Sequence, residues 1–80
     1  MVSKDKYTCV TIGFNTPRRA VERLALSYED AANAAARAMH TAYWAEPWRS
    51  GHDSHGHYEE FTVTAGSRLY CTVRVYKEYL

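Results

Sequence analysis

The chain is 80 residues long and carries ten basic against nine acidic side chains, a formal net charge of +1 at neutral pH. That length leaves room for one domain (1–80) and no second core, and near-neutrality excludes a polyanionic DNA mimic while supplying no general drive toward nucleic acid. The two cysteines, Cys9 and Cys71, lie far apart without CxxC spacing, so free thiols in a reducing, cytoplasmic compartment are expected.

Taken in order, MVSKDKY has no apolar run behind it and no stretch reaches the roughly 18 apolar residues of a membrane span, so neither a signal peptide nor a membrane partner is expected. Tyr7–Phe14 alternates as a strand does: Val10, Ile12 and Phe14 share one face, Tyr7, Cys9, Thr11 and Gly13 the other. Asn15–Arg18 is turn chemistry, with Pro17 presetting the turn. Arg19–Leu26 is read as a second strand hairpinned to the first; the alternative is a short helix over residues 17–26 capped by Thr16 and Pro17.

Ser27, followed by Asp30, approximates a capping box, and Glu29 and Asp30 suit the positive end of a helix dipole. Eight alanines between Ala31 and Ala45 supply helix propensity, and Tyr28, Ala32, Ala35, Met39, Ala42 and Tyr43 form one apolar stripe. The spacing predicts a helix over about 28–45, ended by Pro47. Glu46–Tyr58 reads as an irregular loop. Glu59–Ala65 and Arg68–Tyr76 alternate again around a tight Gly66-Ser67 hairpin.

The expected class is α+β: a small antiparallel sheet in β-β-α-β-β order (or β-α-α-β-β if residues 17–26 are helical) with one Ala-rich helix on one face. Val10, Ile12, Phe14, Phe61, Val63, Leu69, Val73 and Val75 are expected to meet Ala32, Ala35, Met39 and Tyr43. Cys9 and Cys71 then point to opposite faces, which argues against a bridge. The second sheet face has no covering element, and on it fall Tyr70, Thr72, Arg74 and Tyr76 with Tyr7, Cys9 and Thr11.

Tyrosines and arginine on an open sheet are the residue types of protein-interface hot spots, and also those with which sheet-surface binders stack single-stranded bases. Arg18, Arg19 and Arg23 form a local basic group, joined by Arg68 and Arg74, that suits an acidic partner. One of Trp44 and Trp48 is expected to fasten the loop to the core and the other to stand exposed as an anchor. His52, His55 and His57 lie within six residues among glycines, and imidazoles bind zinc, nickel or copper; structural zinc sites, however, usually include cysteine, and neither cysteine is near. The adjacent Asp53, Ser54 and His55 do not make a triad, since sequence neighbours rarely converge, and no phosphate-loop, nucleophile-elbow or dinucleotide motif occurs. No catalytic residue and no cofactor is expected.

A compact sheet with one helix beginning SYEDAANAAARAM resembles several small phage-encoded proteins, among them anti-CRISPR proteins directed against multi-subunit surveillance complexes. The resemblance implies a non-enzymatic, stoichiometric inhibitor in the bacterial host cell that docks on a Cas subunit and obstructs target-DNA binding or nuclease recruitment. The residues expected to carry partner binding are Tyr70, Arg74 and Tyr76, then Arg18, Arg19, Arg23 and Trp48. The alternatives are a small single-stranded nucleic-acid-binding domain using the Tyr/Arg face, and a metal-binding protein using His52, His55 and His57. A homodimer through the open face is compatible with each.

Overall fold

The computed structural model describes residues 3–13 and 18–80. Phe14 as a core residue, the turn at Asn15–Pro17 and its helix-capping alternative lie outside the described residues. Within them the chain runs β1 (Asp5–Ile12), β2 (Arg19–Ala25), α1 (Tyr28–Met39), β3 (Trp44–Asp53), β4 (Gly56–Ala65) and β5 (Arg68–Tyr76). The strands form one antiparallel sheet in the order β2-β1-β5-β4-β3, with α1 across one face. The α+β class stands and Arg19–Ala25 is strand, but the order is β-β-α-β-β-β.

The extra strand is β3, in the stretch expected to be a loop. It pairs with β4 over its whole length and turns back at Ser54-His55, where Gly56 takes a φ of 114°. Pro47 is tolerated because β3 is an edge strand, where a missing N–H need not cost a ladder bond. A bulge between Pro47 and Arg49 absorbs the irregularity.

The helix starts where the sequence says and stops six residues early. Ser27 Oγ accepts from the Asp30 amide at 3.1 Å, while Asp30 Oδ2 accepts from the Leu26 amide at 2.9 Å. The end is made by His40 rather than Pro47: His40 is extended, its amide donates to Ala36, and its Nδ1 accepts from the Ala42 amide at 3.0 Å. Asn33 Oδ1 then accepts from the Ala45 amide, fixing the start of β3 against the helix.

Under the helix lie Tyr7 and Cys9 of β1, Phe61 and Val63 of β4, and Cys71, Val73 and Val75 of β5. They meet Ala31, Ala32, Ala35 and Ala36, whose short side chains bring the helix axis close. The expected faces of β1 are therefore exchanged. The pairs Cys9↔Val75 and Thr11↔Val73 place its odd residues under the helix, and Val10 and Ile12 go to the other side. Cys9 and Cys71 share a face as buried free thiols, four positions apart across the β1–β5 pair and so beyond bridging reach. Leu69 is 58% exposed rather than core, because a second bulge between Val63 and Thr64 of the β4–β5 pair reverses the alternation. Tyr70 turns instead onto Tyr43, with ring centroids 5.2 Å apart. β1 and β5 meet across 60 residues of chain, with Thr72 Oγ1 donating to the Ile12 carbonyl.

Candidate functional site on the helix-free face

The face away from the helix is not bare. Val10, Tyr58 and Tyr76 form a second small core with Ile12 at its edge, and Tyr76 is 0% exposed. The segment after β5 returns over it: Tyr79 packs on Tyr76 at 5.0 Å and stacks on His55 at 4.4 Å. Backbone bonds fix this return, with the Leu80 amide donating to the His55 carbonyl at 2.9 Å and His55 Nδ1 lying 2.8 Å from the Leu80 oxygen.

Across β3, β4 and β5 runs a chain of charges. Arg49 Nε donates to Glu60 Oε1 at 2.7 Å; Arg74 Nε lies 3.5 Å from Glu60 Oε2, and Arg74 Nη1 donates to Asp53 Oδ2 at 3.1 Å. The Tyr76 hydroxyl donates to the same Asp53 oxygen at 2.5 Å, and the Arg74 guanidinium lies over the Tyr58 ring at 4.3 Å. The Glu60 side chain is only 2% exposed, so it depends on both arginines. Above all the Tyr76 hydroxyl, then the His55 amide and neighbouring charges, holds the Asp53 carboxyl below the usual carboxylate range. Burial first, and the bond to Asp53 second, pushes the Tyr76 phenol up to about 12. On the helix side, burial pushes both Cys9 and Cys71 up to about 11.

Beside this network lies a groove of about 410 Å³, lined by Ile12, Trp48, Leu69 and Thr72 with Arg49, Glu60 and Arg74. Trp48, the bulged residue of β3, is 52% exposed, with the Arg49 guanidinium 3.9 Å from its ring centroid. Trp44 is exposed as well, its Nε1 donating to Glu46 Oε1, so neither tryptophan fastens a loop to the core. The groove thus presents two large apolar side chains beside cationic groups whose charges are largely matched from below.

The predicted partner-binding residues do not gather in one place. Arg74 and Trp48 border the groove; Tyr76 is buried beneath Tyr79; Tyr70 leans toward the helix side against Tyr43. Arg19 and Arg23 lie on the helix side of β2, in a separate groove of about 280 Å³ with Cys9, Thr11 and Ala35, and Arg18 is exposed just before them. The basic group and Arg74 are therefore on opposite faces. Leu69, Arg49, Asp53 and Glu60 were missed. For Arg49, Asp53 and Glu60 the signal is the Asp53-x-x-Gly56 turn, which, read as a hairpin, brings Arg49 opposite Glu60; Leu69 has no such signal, since its place depends on the β4–β5 bulge.

The histidines also separate. His52 and His57 are paired across β3 and β4, with the His57 ring edge-on to Tyr28, whereas His55 faces Tyr79 and Leu80 from the turn. Among the described residues no three His, Cys, Asp or Glu side chains converge to hold a metal ion. Nor is any described helix long and apolar enough to cross a membrane. Comparison of the chain with protein-family models, with curated proteins and with solved structures gives no match in any of the three.

Proposed function

We propose that the protein is a non-enzymatic inhibitor that binds another protein through the Trp48–Leu69 groove and acts by covering the surface it binds. The observation that carries this reading is the groove itself: an exposed Trp and Leu, with Arg49 stacked on the Trp, on a face stiffened by the Arg49–Glu60–Arg74–Asp53 chain. Tryptophan and arginine are the residue types that dominate interface energetics, and a pre-ordered patch loses little entropy on binding. The architectural resemblance to anti-CRISPR proteins supplies the partner class: a subunit of a phage-targeting, multi-subunit CRISPR surveillance complex in a bacterial host cell.

The geometry favours this over stacking of single-stranded bases. Tyr58 and Tyr76 are covered, and Arg74 already faces two carboxylates, which leaves few free charges for phosphates on this face.

The test is titration into a panel of purified, guide-loaded surveillance complexes, with target-DNA binding and nuclease recruitment as readouts. Stoichiometric loss of one of these is expected for the native protein. Trp48→Ala and Leu69→Ala should each weaken binding about tenfold or more while leaving the melting temperature nearly unchanged. Native-like binding by both variants would refute the groove; no effect on any complex would refute the partner class.

A further inference from the structure

The two edges of the sheet differ. β3 is blunted by Pro47 and by its bulge, both of which break a regular row of backbone donors and acceptors. β2 has neither proline, glycine nor bulge over Arg19–Ala25, pairs in unbroken register with β1, and among the described residues has no strand paired to its outer side. The helix stops short of covering it, so most of β2 is exposed.

Its side chains alternate in a specific way. Arg19, Val21 and Arg23 line the groove beside Ala35 and Met39 of the helix. On the other side Glu22 is held by Lys6 at 3.3 Å. Among the described residues neither Arg19 nor Arg23 has a carboxylate within 4.0 Å. Arg23 Nε is buried and, among the described residues, makes no hydrogen bond. Two cations four residues apart on one side of a strand stand about 13 Å from each other with one apolar position between them.

We propose that the β2 edge is a second binding surface, which takes an extended acidic segment of a partner protein as an added strand. Backbone bonds to the free edge would supply affinity, and side chains directly opposite would supply selection. Carboxylates four residues apart face Arg19 and Arg23, and an apolar residue midway faces Val21. A second copy of the chain fits poorly. Two-fold pairing of β2 with itself about its middle, centred on Val21, Glu22 or Arg23, sets Arg19 against Arg23, Glu22 against Glu22, or Arg23 against Arg23, and like charges directly opposite are destabilising; registers centred nearer its ends avoid this only by pairing fewer residues of the strand. The inference rests on the reading of a protein-binding domain but not on the Trp48 groove.

The experiment uses the full chain and short labelled peptides, read by fluorescence anisotropy and by amide shifts in NMR. One peptide carries Glu at i and i+4 with Val at i+2; one carries Lys in place of both Glu; one moves the second Glu to i+3. The first is expected to bind alone, with shifts centred on β2 and β1. Arg19→Glu with Arg23→Glu should weaken it about tenfold or more and bring in the Lys peptide. Circular dichroism should show the double variant folded, since Arg19 is exposed, Arg23 is only half-buried at the rim of its groove, and among the described residues neither makes an ion pair. Trp48→Ala should leave peptide binding unchanged. Equal binding of the three peptides, shifts centred elsewhere, or displacement by single-stranded DNA at equal charge would overturn the proposal. So would a dimer in sedimentation that the double variant abolishes. Peptide failure alongside retained inhibition of a surveillance complex would overturn this inference alone.

Discussion

Gly51→Ala offers a direct test of the second core on the helix-free face. Gly51 stands opposite Tyr58 in the β3–β4 pair, and a Cβ there would lie 2.5 Å from Tyr58 Oη and 2.7 Å from Cζ. The ring has little room to withdraw, because the Arg74 guanidinium lies over it at 4.3 Å and the Tyr76 ring at 5.6 Å. Overpacking of this kind costs about 1–3 kcal/mol. Replacing glycine stiffens the unfolded chain and returns about 0.4–1 kcal/mol. A net loss of about 1–2 kcal/mol is expected, which for a domain of this size lowers the melting temperature by roughly 5–15 °C. Thermal unfolding followed by circular dichroism measures it. In a Tyr58→Ala background the same substitution should be neutral or stabilising, since the obstructing ring is gone. An unchanged melting temperature in the native background, or an equal loss without the ring, would refute the packing described for this face.

Arg74→Met should destabilise by about 2–3 kcal/mol in urea unfolding and Arg49→Met by less, because Arg74 serves both Asp53 and Glu60 while Arg49 is half-exposed and serves Glu60 alone. Equal losses would show that the two carboxylates do not share Arg74. Tyr76→Phe should flatten the pH dependence of stability at both ends. The Tyr76 phenol, raised from 10.0 to about 12, contributes stability present below pH 10 and lost as the pH climbs toward 12. The Asp53 carboxyl, lowered from 3.8, contributes stability present above that value and lost as the pH falls through its folded-state pKa. Parallel curves for the native protein and the variant would contradict the Tyr76–Asp53 bond. Finally, both thiols should resist a disulfide reagent at pH 8 until denaturant is added, when two per chain react; rapid labelling of the native protein would show a thiol that is not buried.

What the sequence conveyed was mostly local. Ser27 and Asp30 mark the helix start because capping is a contact between near neighbours, and Gly66-Ser67 marks its hairpin because a two-residue turn needs a positive φ, 67° at Gly66. The helix end is not legible in the same way, since His40 stops it through its own backbone and ring, and nothing about its residue type announces that. Alternation in β1 showed which residues go together but not which set lies under the helix. Both sets are apolar enough to be buried, and the choice was made by register against β5, an element about 60 residues away. The faces of Leu69 and Tyr70 are hidden for a related reason. One extra residue in a strand reverses every side chain beyond it, and a bulge carries no residue signature here. β3 was hidden by composition: Pro47, Gly51 and the histidines look like a loop until an edge position is granted to them.

The β1–β5 seam bears on how the chain reaches its native state. Each other strand pairing joins consecutive strands, β1 with β2, β3 with β4, and β4 with β5, and so closes over a short turn or a short segment. The seam alone must close about 60 residues, with a correspondingly larger entropic cost. A two-stranded N-terminal piece and a three-stranded C-terminal piece can therefore form early and search for one another, with the helix strung between them. Until they dock, β1 and β5 are open edges bearing Val10, Val73 and Val75. During that interval another molecule's β5 is as good a template for β1 as its own. Refolding yield should accordingly fall as protein concentration rises, although the finished sheet hides both strands in its interior.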